Sequence, residues 1–135
     1  MSNDFNKNLT DVGELLNHLK NDPLPHFING KRNKGKSNTT FESIAPSDNS
    51  VIGEIVVGNS NDVDLACNAA SDAFETWRRT PGKERKSILH KVADAIEENA
   101  RDIALVESFD SGQAIRFMSK AAIRGAANFR FFADM

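Results

Sequence analysis

The sequence predicts a short antiparallel β segment followed by three α-helices. Three observations carry that expectation. Asn29-Gly30, the strongest two-residue hairpin signal, follows the apolar His26-Phe27-Ile28. Alternating and β-branched segments run to Gly58, after which apolar residues recur at helical spacing. The change falls at Asn61, an N-cap type with an acid, Asp64, three residues on.

The texture divides the chain into residues 1–25, an N-terminal extension; 26–60, a β-hairpin segment; and 61–135, a helical part. In the extension Val12, Leu15, Leu16 and Leu19 sit at i, i+3, i+4 and i+7, a marginal helix that Asn21-Asp22-Pro23 ends. After the first hairpin, Lys31 to Asn38 is a polar, basic loop or arm. Thr40-Phe41-Glu42-Ser43-Ile44 alternates as a half-buried strand does, Pro46-Ser47-Asp48-Asn49 is turn chemistry, and Val51 to Val57 is β-branched. The first helix carries Val63, Ala66, Cys67, Ala70, Ala73, Phe74 and Trp77 on one stripe, expected to be buried. Thr80-Pro81 starts the second, with Pro81 at the first helical position and a stripe from Ile88 to Val106. Asp110-Ser111-Gly112 interrupts it. The third helix turns Ile115, Met118, Ala122, Ala126, Phe129 and Phe132 to one face.

Composition bounds the function. Seventeen Lys and Arg against nineteen Asp and Glu give a net charge of −2, which excludes a polyanion binder driven by bulk charge. The expectation is a partner that is neither nucleic acid nor membrane. One Cys excludes a disulfide scaffold and a Cys-rich zinc site. Residues 1–10 are polar and lack an apolar leader, and no apolar run approaches a membrane span, so a cytoplasmic chain is expected. The acceptor patterns at Asn8-Leu9-Thr10 and Asn38-Thr39-Thr40 are then read as chance.

Little in the residues themselves points to chemistry. Cys67 sits on the expected buried stripe with no basic neighbour within a turn, as a small core residue does. His18, His26 and His90 are scattered, and Glu97 and Glu98 point to different sides of a helix. There is no Gly-rich phosphate loop. Arg116, Lys120 and Arg124 form a basic row at i, i+4 and i+8, either a solvated face or a contact for an acidic neighbour. Asp110, at a chain reversal, reads as a cap for the following helix or as an oxygen ligand for a hard cation. Phe129, Phe131 and Phe132 crowd the last seven residues and should expose an apolar patch, the simplest account being a chain cut from a longer one.

The order of segments resembles the N-terminal portion of the NAD(P)-dependent aldehyde dehydrogenase superfamily. The matching residues are Phe27 to Lys31, Phe41 to Pro46, Val51 to Ile55, Asp62-Val63-Asp64, Ala69-Ala70, Ala73-Phe74 and Trp77. Glu84-Arg85, Val92 to Glu97, Glu107 to Gly112 and Asn128 to Ala133 follow in the family's order. The resemblance implies an α/β, Rossmann-like parent fold, with residues 61–135 the truncated helical part of its dinucleotide-binding domain. It implies an oxidoreductase that turns an aldehyde into a carboxylic acid. A Cys thiolate attacks the carbonyl, the thiohemiacetal passes hydride to NAD or NADP, and a Glu activates water. It places the catalytic Asn, Glu and Cys, the nucleotide contacts and the oligomer-building arm beyond Met135. This chain then holds no catalytic and no cofactor-binding residue, would be inactive alone, and Cys67 does not match the catalytic Cys. The parent would be a homo-oligomer acting on a small-molecule aldehyde. Family members hold a monovalent cation through a carboxylate matching Asp110 and a carbonyl near Ser43-Ile44, which nominates Asp110 and Ile44 as metal ligands. Asp110-Ser111-Gly112-Gln113 and Asn128 to Ala133 are similar to the branch acting on muconic semialdehydes. The alternative is a stand-alone helical interaction module using its Phe-rich, basic third helix.

Overall fold

The structure, a computed structural model, describes residues 2–37 and 39–135, so the acceptor-pattern Asn38 lies outside the described residues. The elements run α1 (Ser2–Leu16), a 3-10 turn (Asn17–Lys20), β1 (His26–Ile28), β2 (Lys31–Asn33), β3 (Thr40–Ile44) and β4 (Val51–Val56). Then come α2 (Ser60–Trp77), α3 (Gly82–Glu98), α4 (Ala100–Ser111), α5 (Ile115–Met118) and α6 (Ala121–Asp134). They group into two compact units that cut across the three zones of sequence texture. One holds residues up to Asn17, Ala45–Ser50 and Pro81–Met135; the other holds His18–Ile44 and Val51–Thr80.

In the strand-bearing unit, β1 and β2 pair antiparallel with Phe27 opposite Arg32 and Ile28 opposite Lys31. Asn29 (φ 52°) and Gly30 (φ 71°) both take the left-handed conformation that a type I′ turn requires. β3 pairs antiparallel with β4, with a register irregularity between Ser43 and Ile44. Leu24 adds a parallel bridge to β4: its N–H donates to the Glu54 carbonyl at 2.8 Å, and the Val56 N–H donates to the Leu24 carbonyl at 3.1 Å. Ile52, Gly53 and Val56 are buried. A Cβ on Gly53 would stand 2.6 Å from Leu19 Cβ, so this close approach admits only glycine.

α2 begins two residues before the predicted start. The pattern Asn-x-x-acid occurs twice, at Asn59–Asp62 and Asn61–Asp64, and the earlier one forms the box. The Asn59 side chain accepts from the Asn61 and Asp62 N–H groups, and Asp62 Oδ2 accepts the Asn59 N–H at 3.0 Å. Asp62 is only 4% exposed and is the sole buried residue of α2 among those described. The expected burial of the α2 stripe is therefore corrected. Val63, Phe74 and Trp77 face solvent, and so does Cys67, which is not a core residue here. Helical spacing fixes which residues share a face, not whether another element lies upon it.

In the helical unit α1 packs on α4, and α3 packs on α6. Val12 and Leu16 of α1 are buried, as are Ala104 and Leu105 of α4. α1 is longer than its apolar pattern predicts because polar contacts extend it. Lys7 pairs with Asp11 at 2.7 Å, Thr10 Oγ1 donates to the Asn6 carbonyl, and Arg101 of α4 reaches both Asn8 and Asp11. The α3–α6 seam is lined by alanine, with Ala93, Ala122 and Ala126 buried. Arg130 of α6 spans that seam to Asp94 and Glu97, and Asp134 meets Lys86 and His90.

The predicted second and third helices are each two helices. Asn99 (φ −102°, ψ 14°) divides α3 from α4, its side chain donating to the Ala95 carbonyl at 2.8 Å and so competing with the helical ladder. Pro81 is the N-cap of α3 rather than its first helical residue. Lys120 (φ −103°, ψ −9°) separates α5 from α6, which breaks the straight Arg116–Lys120–Arg124 row. Of the predicted third-helix face, Met118, Ala122 and Ala126 are buried, whereas Phe129 and Phe132 are exposed with Phe131, as the crowded aromatics predict.

Candidate functional site

Of the residues singled out for chemistry, Asp110 lies at the end of α4, beside a tight helix-end turn. α4 closes on Gly112, whose left-handed φ of 72° is the standard helix C-terminus, its N–H donating to the Ser108 carbonyl at 3.1 Å. Ser108 Oγ donates to the Gln113 carbonyl at 2.6 Å, and Ser111 Oγ donates to the Glu107 carbonyl at 2.5 Å. A Cβ on Gly112 would lie 3.1 Å from Pro46 Cγ, in the turn of the same unit. This turn and α1 enclose a cleft of about 340 Å³, within the ordinary size range of small-molecule pockets. Phe5, Leu9, Val12, Leu105, Phe109 and Ile115 make its walls, and Asn8, Ser47, Ser108 and Gln113 give it polar edges. The cleft is apolar and holds no nucleophile–base pair.

Asp110 lies in the last turn of α4, exposed, so it does not stand at the start of the next helix as a cap would. α5 has Ala114 at its N-cap and no side-chain cap bond. Ile44 ends β3, also exposed. Asp110 belongs to the helical unit and Ile44 to the strand-bearing unit. Among the described residues no three or more His, Cys, Asp or Glu stand together as a metal-binding group. Arg116 lies over the Phe117 ring, 4.7 Å from its centre. The Arg101 and Arg130 ion pairs escaped sequence reasoning. Asp94 and Glu97, three residues apart on one helix face, were the visible half of the second.

Three carboxylates are held acidic: Asp48 by hydrogen bonds from Ser50 in its own turn, and Asp11 and Asp134 by basic partners. The pKa of Asp11 lies below the ordinary carboxylate value because Lys7 and Arg101 donate to it. That of Asp134 is lowered by hydrogen bonds from Lys86 and then His90. Both are surface fastenings between helices, and neither faces the cleft.

Known proteins then place the chain. Residues 33–135 match the model of the aldehyde dehydrogenase family, and the chain belongs to that family. Aldehyde dehydrogenase 1 of Tanacetum cinerariifolium is 41% identical over 112 residues, covering 79% of this chain and 22% of that protein. The NADP/NAD-dependent aldehyde dehydrogenase PuuC of Escherichia coli is 37% identical, covering 80% of this chain and 22% of its own length. Among solved structures, HpcC of Thermus thermophilus superposes with a TM-score of 0.87 at 39% identity, over 91% of this chain and 24% of that one. Betaine aldehyde dehydrogenase of Staphylococcus aureus in complex with NAD+ gives 0.87 at 26% identity, over 94% and 25%. The chain thus spans about a fifth of the length of the curated relatives it matches. The architecture is an N-terminal piece of the aldehyde dehydrogenase fold, with short antiparallel strands and helices. A stand-alone helical module is not favoured by this match.

Proposed function

We propose that these residues are the opening part of an enzyme that oxidises an aldehyde to a carboxylic acid with NAD or NADP. The family match over residues 33–135 carries this reading. The described residues offer the apolar cleft and the helix-end turn, but no thiolate paired with a base. Cys67 is exposed on α2 and does not line the cleft. The reactive Cys, the water-activating Glu and the coenzyme cleft are assigned to chain beyond Met135. The chain by itself is inactive, and its role is to build and support the domain that binds the coenzyme. The parent is read as a cytoplasmic homo-oligomer.

The proposed aldehyde is a muconic semialdehyde, on the likeness of Asp110-Ser111-Gly112-Gln113 and Asn128 to Ala133 to that branch. Asp110 and the Ile44 carbonyl are proposed as donors to a monovalent cation; each is a hard oxygen, the ligand type such ions prefer. The test is direct. The purified chain, mixed with aldehyde and NAD+ or NADP+, is expected to give no rise in reduced-coenzyme absorbance above a protein-free blank. Turnover by the purified chain, whether or not it survives Cys67→Ser, is incompatible with catalysis residing elsewhere in the parent.

A further inference from the structure

The β1–β2 hairpin carries a feature that aldehyde oxidation does not use. Lys31, Arg32, Lys34 and Lys36 put four positive charges and no negative one into residues 31–36, and all four side chains are exposed. The whole chain carries −2; subtracting these four leaves −6 on the rest. The hairpin is thus a local inversion of the charge of the chain, which bulk composition conceals.

The pairing register adds an aromatic to it. Phe27 stands directly opposite Arg32. In an antiparallel pair such side chains share one face, and successive residues alternate between faces. His26, Ile28 and Asn33 are half-buried, so their face turns inward, while Phe27 is 74% exposed on the outer face with Arg32. Arg32 does not lie against the ring. It turns to Asp22, 3.3 Å away, which Lys34 also meets at 3.7 Å. The Phe27 ring is left open to solvent, with Arg32 as its cross-strand partner. The tip of the hairpin, Asn29-Gly30, is polar and offers nothing to insert into a lipid bilayer.

We propose that this hairpin face binds single-stranded nucleic acid, a base stacking on Phe27 and phosphates meeting Arg32, Lys34 and Lys36. An open aromatic on a basic hairpin is the arrangement that serves this ligand, since every base has a π-face and every nucleotide a charge. Asp22 trims the attraction and sets it below that of a dedicated binder. Recognition is by stacking and charge, without sequence preference.

The test is fluorescence anisotropy of a short labelled oligo(dT) or oligo(U) with the full chain at about 50 mM salt, where non-specific contacts are strong. Binding with Kd on the order of 10 µM is expected, and a log–log salt slope of about −2 if three phosphates are neutralised. Phe27→Ala should weaken binding about tenfold at unchanged slope. K34E/K36E should weaken it more and flatten the slope. All three positions are exposed, and circular dichroism verifies that each variant stays folded. Absence of binding at 100-fold above that Kd overturns the proposal. So does binding that neither variant changes, and so does capture by phosphatidylserine vesicles without oligonucleotide binding, which would make the face a lipid contact.

Discussion

Replacing Gly112 by alanine probes the helix-end turn at two places at once. The residue holds φ 72°, where a Cβ costs about 1–2 kcal/mol. Its Cβ would also sit 3.1 Å from Pro46 Cγ and 3.4 Å from Pro46 Cβ, tighter than ordinary contact. Pro46 is a ring in a turn fixed by the Ala45 N–H to Ser50 carbonyl and Asn49 N–H to Ala45 carbonyl bonds, both 2.9 Å, so it yields little. Overpacking of this kind costs about 1 kcal/mol at its mild end, for a total of about 2–3 kcal/mol. Gly30→Ala supplies the control. Its φ of 71° is nearly the same, but nothing lies within 4 Å of its Cβ, so only the backbone cost of about 1–2 kcal/mol remains. Urea unfolding followed by circular dichroism, with amide exchange over residues 108–115 to localise the loss, measures both. If Gly112→Ala costs no more than Gly30→Ala, the packing of Pro46 against the turn is not as described.

Two further outcomes follow from the same contacts. Asp11 has a lowered folded pKa, so its contribution is fully present above the unfolded carboxylate value near 4 and is lost as pH falls through the folded value. Acid titration should release α1 from α4 below about pH 4, and Asp11→Asn should flatten that limb; an acid limb unchanged by the substitution removes Asp11 as its cause. Cys67, being exposed, should react with a thiol reagent in the folded chain as fast as in urea, whereas protection in the folded chain would restore it to a buried stripe.

How much was legible depended on the distance over which each feature is decided. The Asn29-Gly30 hairpin and the strands Thr40–Ile44 and Val51–Val56 follow from turn chemistry and two-residue alternation, which are local. Helix ends depend on competition between neighbouring caps: Asn59 prevails over Asn61 because Asp62 answers its N–H. The length of α1 was hidden because Arg101, ninety residues away, helps hold it. The burial of Cys67 was misread because a stripe records a side and not a covering. The family was legible as an ordered set of modest matches, each weak alone. Asp110 was placed at its chain reversal, but its role as a cap was not realised because α4 runs through it to Ser111.

The seam between α3 and α6 has a consequence of its own. Ala93 of α3 and Ala122 and Ala126 of α6 are the buried residues of these two packed helices. At these buried positions a small side chain fills the space, so one added methylene there has to displace a neighbour. Variation is then easier at the exposed rim, where Arg130 and Asp134 reach across, than at Ala93, Ala122 or Ala126.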